Sequence, residues 1–253
     1  MESVFKTDIG KVRQHNEDSG GIFTSKKGDR LAIVADGMGG HNAGDVASEM
    51  TVKLFKDRFE NTEEMQSPEQ AENWLKDKIS EINQAVYLHA QNHKECEGMG
   101  TTVVAAVCTD HFTTIANIGD SRCYILNENG FKQLTDDHTL VNELVKTGQI
   151  TKEDAEHHPR KNLILKALGT EDSIRADFLT IIHEEGDYLL LCSDGLSNKV
   201  SEQSMQKILL EEMPLSEKAD KLITMANQNG GEDNITLIII QFAPNNESGC
   251  NEC

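Results

Sequence analysis

The stretch "LAIVADGMGGHNAGD" ends an apolar run in Asp36, then supplies glycines, a histidine and another acid. Similar junctions recur along the chain. "ANIGDSR" places Asp120 after an apolar run, "LLLCSDG" places Asp194, and "GGEDNITLIII" puts Asp233 just before one. "RQHNEDSGGIF" sets Glu17 and Asp18 before another. A single Asp-Gly after a strand is ordinary turn chemistry. Its repetition suggests something more. In antiparallel strands the C-terminal tip of one lies beside the N-terminal tip of its neighbour, so these acids can converge on one edge. Clustered carboxylates raise one another's pKa, and a hard divalent cation removes that cost. All-oxygen ligands favour Mg²⁺ or Mn²⁺. The chain has neither a Cys/His ligand set nor an H-E-x-x-H run, which argues against zinc. Gly37 would leave its carbonyl free to approach a metal, with no Cβ in the way.

Two cations bridged by one carboxylate can activate a water for phosphoryl hydrolysis. Asp36 is the candidate bridge. Arg13, four residues before Glu17, could grip non-bridging phosphate oxygens with its planar fork. His41, at the entry to a helix, could protonate a departing alkoxide of phosphoserine or phosphothreonine. Taken singly, each is an ordinary surface residue. A phosphate dianion near so many carboxylates would be repelled unless cations lie between them. Metal-free phosphatase patterns are missing: no C-x-x-x-x-x-R, no D-x-D, and no G-K-[ST] after "GMGG".

The elements that must position these residues are legible in outline. "LAIVA", "TTVVAAVCT", "FTTIANIG", "CYILN", "DYLLLCS" and "ITLIIIQF" read as strands. "TDHF" and Asn129-Gly130 read as tight hairpin connections. Val46, Met50, Leu54 and Phe59 step at helical intervals. Ser67, Pro68 and Gln70 predict a capped helix start with a capping box, and Leu75, Ile79, Ile82 and Val86 line its apolar face. Two more helices are expected over 201–213 and 215–231, with Gly230 as a C-cap. The order predicts packed sheets with helices outside.

The 253 residues suit one large domain or two small ones. With 24 basic and 43 acidic residues, the net charge of −19 disfavours nucleic acid and anionic membranes as partners. Most of that acidity reads as solubility. No apolar leader stands at the start, and no apolar run nears the ~18 residues of a membrane helix. A soluble, cytoplasmic protein is expected. Of six cysteines, three lie in apolar strand-like runs, as buried thiols do. Cys250 and Cys253 form a tail C-x-x-C without a second pair, a weak metal or redox signal.

Together "RQHNED", "VADGMGGHNAG", "GMGTTVVAAV", "NIGDSRCYI", "LTDDHTLVNELVKTGQIT", "KALGT", "LLLCSDGLSN" and "GGEDNITLIII" resemble the metal-dependent protein phosphatase family of the 2C type, especially its compact bacterial members. The resemblance implies an α+β fold: a four-layer α-β-β-α sandwich of two antiparallel sheets flanked by helix pairs. It implies one phosphatase domain over about 1–243, with a flap insertion over about 136–161 and a short tail over 244–253. It implies hydrolysis of phosphoserine and phosphothreonine in proteins by a water bridging two Mn²⁺ or Mg²⁺ ions. In the matched motifs Asp36 is the bridging ligand and Gly37 the carbonyl ligand. Asp194 and Asp233 complete one metal; Glu17 and Asp18 bind the other directly or through water. Asp120 serves a third, weaker metal. Arg13 binds phosphate and His41 is the general acid. Phosphorylated proteins and a cognate Ser/Thr protein kinase are the implied partners of a monomer. One departure is Lys166, where relatives often carry arginine; the charge is kept but not the fork. The alternatives are a catalytically weak, metal-binding regulator on the same fold and a calcium-binding structural module. The second lacks a D-x-[DN]-x-[DN]-G loop.

Overall fold

The computed structural model describes residues 1–40 and 43–242. Two antiparallel sheets face each other. The first runs in the order β1 (Glu2–Asp8), β11 (Ile235–Gln241), β10 (Tyr188–Cys192), β7 (Arg122–Asn127), β8 (Gly130–Gln133). The second runs β2 (Asp18–Thr24), β3 (Arg30–Met38), β5 (Val103–Cys108), β6 (Thr113–Ile118), β9 (Asp177–Ile181), and the short β4 (Gly100–Thr101) pairs with the end of β3. Helices α1 (Ala43–Phe59) and α2 (Pro68–Asn92) cover the second sheet. Helices α6 (Glu202–Leu210) and α7 (Leu215–Gln228) cover the first. The element order predicts packed sheets with helices outside, and this is the four-layer sandwich that the family resemblance implies.

Strand alternation builds the layers. In β5, Val103, Ala105 and Val107 face the helices, while Val104, Ala106 and Cys108 face the opposite sheet. In β11, Ile235, Leu237 and Ile239 face α6 and α7, and Ile238 and Ile240 fill the space between sheets. Strands buried on both faces read as continuous apolar runs, which is why β5 and β11 are visible in the sequence. The sequence reading misses β1 and β9. Both are edge strands, only partly buried, so neither needs a strong apolar pattern.

Three local expectations need correction. On α1 the buried residues are Ala43, Gly44, Ala47, Ser48, Thr51, Val52, Phe55 and Phe59; Val46, Met50 and Leu54 are only half-buried. Small residues take the inner stripe at the start of α1, where Gly44 lies close against β3, and Phe55 and Phe59 fill it farther along. Ser67 does cap α2, accepting the Gln70 N–H at 3.2 Å, but the Gln70 side chain accepts from Gln66 N–H at 2.9 Å instead of closing a capping box on Ser67. In the β7–β8 hairpin, Asn127 pairs with Gly130, so the two loop residues are Glu128 and Asn129, and Gly130 opens β8 with φ +104°. The two later helices stop at Leu210 and Gln228, inside the expected spans.

Close approach explains the Asp-Gly pairs. A Cβ on Gly37 would lie 2.0 Å from the Gly44 carbonyl oxygen, and one on Gly195 would lie 1.9 Å from that of Asn234. Glycine therefore lets the first turn of α1 touch β3, and lets α5 (Asp194–Ser197) touch the segment leading into β11. Gly40, by contrast, has open space at its Cβ position. We predict that Gly37→Ala lowers metal-free stability by about 1–3 kcal/mol or more through overpacking. Gly40→Ala should stay within about 0.5 kcal/mol of wild type. Urea unfolding followed by circular dichroism compares the two, and equal midpoints would contradict the close-approach account.

Candidate active site

Asp36 does not end its strand. β3 continues to Met38 by pairing with β4, and Asp36 stands directly opposite Asp18 of β2. Asp194 is the first residue of α5, after Ser193, whose hydroxyl bonds Asp18 rather than capping the helix, and its carboxyl lies beside that of Asp36. The charges of Asp18, Asp194, Asp120 and Asp233 all bear on Asp36. Five acids scattered from residue 18 to residue 233 therefore meet at one end of the sandwich. Glu17 lies at the rim. Arg13 reaches from the preceding loop to Asp233 at 2.9 Å and to Glu17 at 3.4 Å. Among the described residues no three His, Cys, Asp or Glu side chains close into a ready-made chelate. The acids line a basin, with Arg13 as a counter-charge at its edge.

Burial makes this basin unfavourable for anions. Asp18 and Asp120 are each 7% exposed, while Asp36 and Asp194 keep a partly open face. Burial lifts Asp18 to about 7 despite hydrogen bonds from Ser193 and Thr236. Burial and the Asp194 charge lift Asp120 to about 7. Burial and Asp233 lift Asp194 to about 6. Burial, then the neighbouring acids, hold Asp36 well above the usual carboxylate range. Burial also raises Glu17, against the pull of Arg13. One oxygen each of Asp18, Asp120 and Asp194 is buried without a hydrogen-bond partner. Unpartnered, oxygen-only, mutually repelling carboxylates fit a hard divalent cation, as buried acceptors otherwise find donors.

The supporting groups were mostly missed from sequence. Ser193 Oγ donates to Asp18 at 2.7 Å and accepts from Thr236 N–H at 3.0 Å. Asn198 donates to Asp194 at 3.0 Å. Asn234 accepts from Glu17 N–H at 2.8 Å and donates to the carbonyls of Ile9 and His15 at 2.9 and 3.0 Å, fixing the Arg13 loop. Thr101 and Thr102 grip the Asp36 backbone: Thr101 Oγ1 donates to its carbonyl and Thr102 Oγ1 accepts its N–H, both at 2.9 Å. The available signal was a polar side chain set against an apolar run, as in "GTTVVAAV".

A helical excursion carrying α3 (Leu140–Lys146) and α4 (Lys152–Glu156) faces the acids. Between them lies a cavity of about 530 Å³, with Asp120 and Asp194 on one wall and Thr139, Val141, His157 and Lys161 on the other. Lys166 follows the excursion and pairs with Asp177 at 3.4 Å. Cys96, Cys108, Cys123 and Cys192 are buried free thiols. His41, Cys250, Cys253 and the tail lie outside the described residues. Among the described residues no helix is long and apolar enough to cross a membrane.

A sandwich of this topology, with carboxylates gathered at one end, offers the all-oxygen donor set that suits a hard divalent cation. Residues 10–233 match the protein phosphatase 2C family, and the chain belongs to it. It is 50% identical over 241 residues to the serine/threonine phosphatase stp of Listeria welshimeri, covering 95% of this chain and 96% of that one. The crystal structure of Serine/threonine phosphatase Stp1 from Staphylococcus aureus superposes with a TM-score of 0.91 at 42% identity, covering 96% and 95% of the two chains. The catalytic domain of serine threonine protein phosphatase PstP in complex with two manganese ions superposes with a TM-score of 0.82 at 32% identity, covering 96% and 98%. Dependence on divalent metal follows for this family member.

The raised pKa values carry a sign. The folded, metal-free state holds protons that the unfolded chain releases above about pH 4. These groups thus contribute stability that is complete below the unfolded pKa and is lost as pH rises to about 7. One unit is worth about 1.4 kcal/mol, and sharing of protons among coupled acids reduces the sum. We predict that Asp18→Asn stabilises the metal-free protein at pH 8 by on the order of 2 kcal/mol and little at pH 4. Urea midpoints at both pH values measure it; an equal shift at both would remove the electrostatic explanation.

Proposed function

We propose that the chain is a protein serine/threonine phosphatase that hydrolyses phosphoserine and phosphothreonine, with Asp36 bridging two divalent cations. The observation that carries this reading is the set of buried, unpartnered carboxylate oxygens of Asp18, Asp120 and Asp194 around Asp36. Asp194 and Asp233 would hold one ion with Asp36. Glu17, Asp18 and the Gly37 carbonyl serve the other, and Asp120 serves a third, weaker site. Mn²⁺ or Mg²⁺ held there would lower the pKa of a water and so supply the nucleophile. Arg13 exchanges its carboxylate partners for the phosphate oxygens, which it matches in planar geometry. His41 gives its proton to the departing serine or threonine oxygen. The excursion acts as a flap over the phosphopeptide, within one domain spanning about 1–243. Phosphorylated proteins and a cognate Ser/Thr kinase in the cytoplasm complete this reading, with the enzyme as a monomer. Retention of every acid in the matched motifs favours turnover over the weak regulatory alternative.

Phosphate release from a phosphothreonine peptide should require Mn²⁺ and stop on chelation, and Asp36→Ala should cost about a thousandfold or more in kcat. Activity that survives full chelation would overturn the mechanism. Arg13→Ala should chiefly raise KM. His41→Ala should lose about 10²-fold or more on a serine phosphate and far less on a nitrophenyl phosphate, whose leaving group needs no acid. Equal losses on both substrates would take the proton-donor role from His41.

A further inference from the structure

The root of the helical excursion is bonded directly to the loop that carries Asp120. His138 is 3% exposed and, with the buried Thr139, opens a segment whose helix α3 has no buried residue. Its ring Nδ1 accepts the Gly119 N–H at 3.1 Å, and its own N–H donates to the Gly119 carbonyl at 2.9 Å. Both backbone groups of the residue before Asp120 are thus held by one side chain and its main chain. Asn117 adds a bond to the same carbonyl at 3.4 Å and one to Asp136 at 3.1 Å. Gly119 has φ +100°, and a Cβ there would sit 2.6 Å from the Thr102 side chain. The turn is wedged against the threonine that holds Asp36, and Thr102 also bonds Ser121 at 2.7 Å.

The other side of the imidazole is also occupied. Because Nδ1 accepts, the proton resides on Nε2. Nε2 lies 3.2 Å from Asp177, short of full hydrogen-bond geometry, so the contact sets the polar N–H of a neutral ring beside a carboxylate. Lys166, where the excursion returns, reaches the same carboxylate. Leu165 N–H donates to the His138 carbonyl at 2.7 Å, and Thr139 pairs with Ile164. His138 therefore sits at the neck where the excursion leaves and returns.

We infer that His138 is a positioning residue: by clasping Gly119 it aims Asp120, and it makes the neck of the excursion and the Asp120 cation site one mechanical unit. This rests on Asp120 serving the weaker cation, as proposed above. His138 touches neither cation nor substrate. Its effect should therefore appear selectively in the Asp120-dependent cation, as supporting residues typically alter metal affinity by about 10–100-fold.

The test is a Mn²⁺ titration of the whole protein, with free Mn²⁺ read by electron paramagnetic resonance and unfolding temperature measured alongside. Asp120→Ala identifies the equivalent that depends on Asp120. His138→Leu should weaken that equivalent by about 10–100-fold and leave the tighter ones unchanged. His138→Asn, which keeps an acceptor at the place of Nδ1, should recover most of the loss. Asp177→Ala, at an exposed side chain, should weaken the same equivalent by several-fold and decides the matter if His138→Leu does not fold. Loss of all equivalents together with lowered unfolding temperature would make His138 merely structural and overturn the inference. If Asp120→Ala removes an equivalent that the His138 and Asp177 variants leave intact, the inference falls while the role of Asp120 stands. If Asp120→Ala changes nothing, both fall.

Discussion

Carboxylates enclosed together at one end of the sandwich repel one another, and the surrounding structure is organised around that repulsion. Their enclosure makes the charged forms costly, as the raised values of Asp18, Asp120 and Asp194 reflect. Few compensating donors are provided. Ser193 serves Asp18, Asn198 serves Asp194, and Arg13 stands over Asp233 and Glu17. Further oxygens are left without partners. The fold therefore keeps its acids unfavourable in the absence of a cation, and binding one relieves the like-charge cost.

Rigid packing makes such an arrangement tenable. Three apolar layers hold the sheets and helices, and the alternating faces of β5 and β11 tie adjacent layers together. Strand register places Asp18 against Asp36, while Gly37 and Gly195 let backbone segments meet where a side chain would intervene. The threonines before β5 then lock the Asp36 backbone. The acids themselves contribute little to cohesion, so the apolar layers must hold them in place.

The excursion between His138 and Leu165 follows a different physical regime. No residue of α3 is buried, and Leu163 and Leu165 are 46% and 47% exposed. With little apolar area to hold it, this segment belongs to the lower-stability part of the molecule. Its fixed points are polar: Arg122 grips Asp137 through bonds of 2.7 to 3.1 Å, and His138 clasps Gly119. These polar bonds register the root of the excursion to the acids.

The sequence by itself determined the chemistry and the main layers. Acid types beside apolar runs named the ligand class, and runs such as "VVAAVC" marked strands buried on both faces. Motif order was specific enough to indicate the family. Edge strands β1 and β9 stayed hidden because partial burial imposes little pattern. The inward stripe of α1 depended on how closely the helix approaches the sheet, which periodicity does not encode. Tertiary structure alone decided that Asp36 faces Asp18 inside a continuing strand, and that Ser193, Asn234, Thr102 and His138 hold the site. Those roles arise from contacts between residues as much as 225 positions apart, as between Asn234 and Ile9, and a linear pattern carries no distance across space.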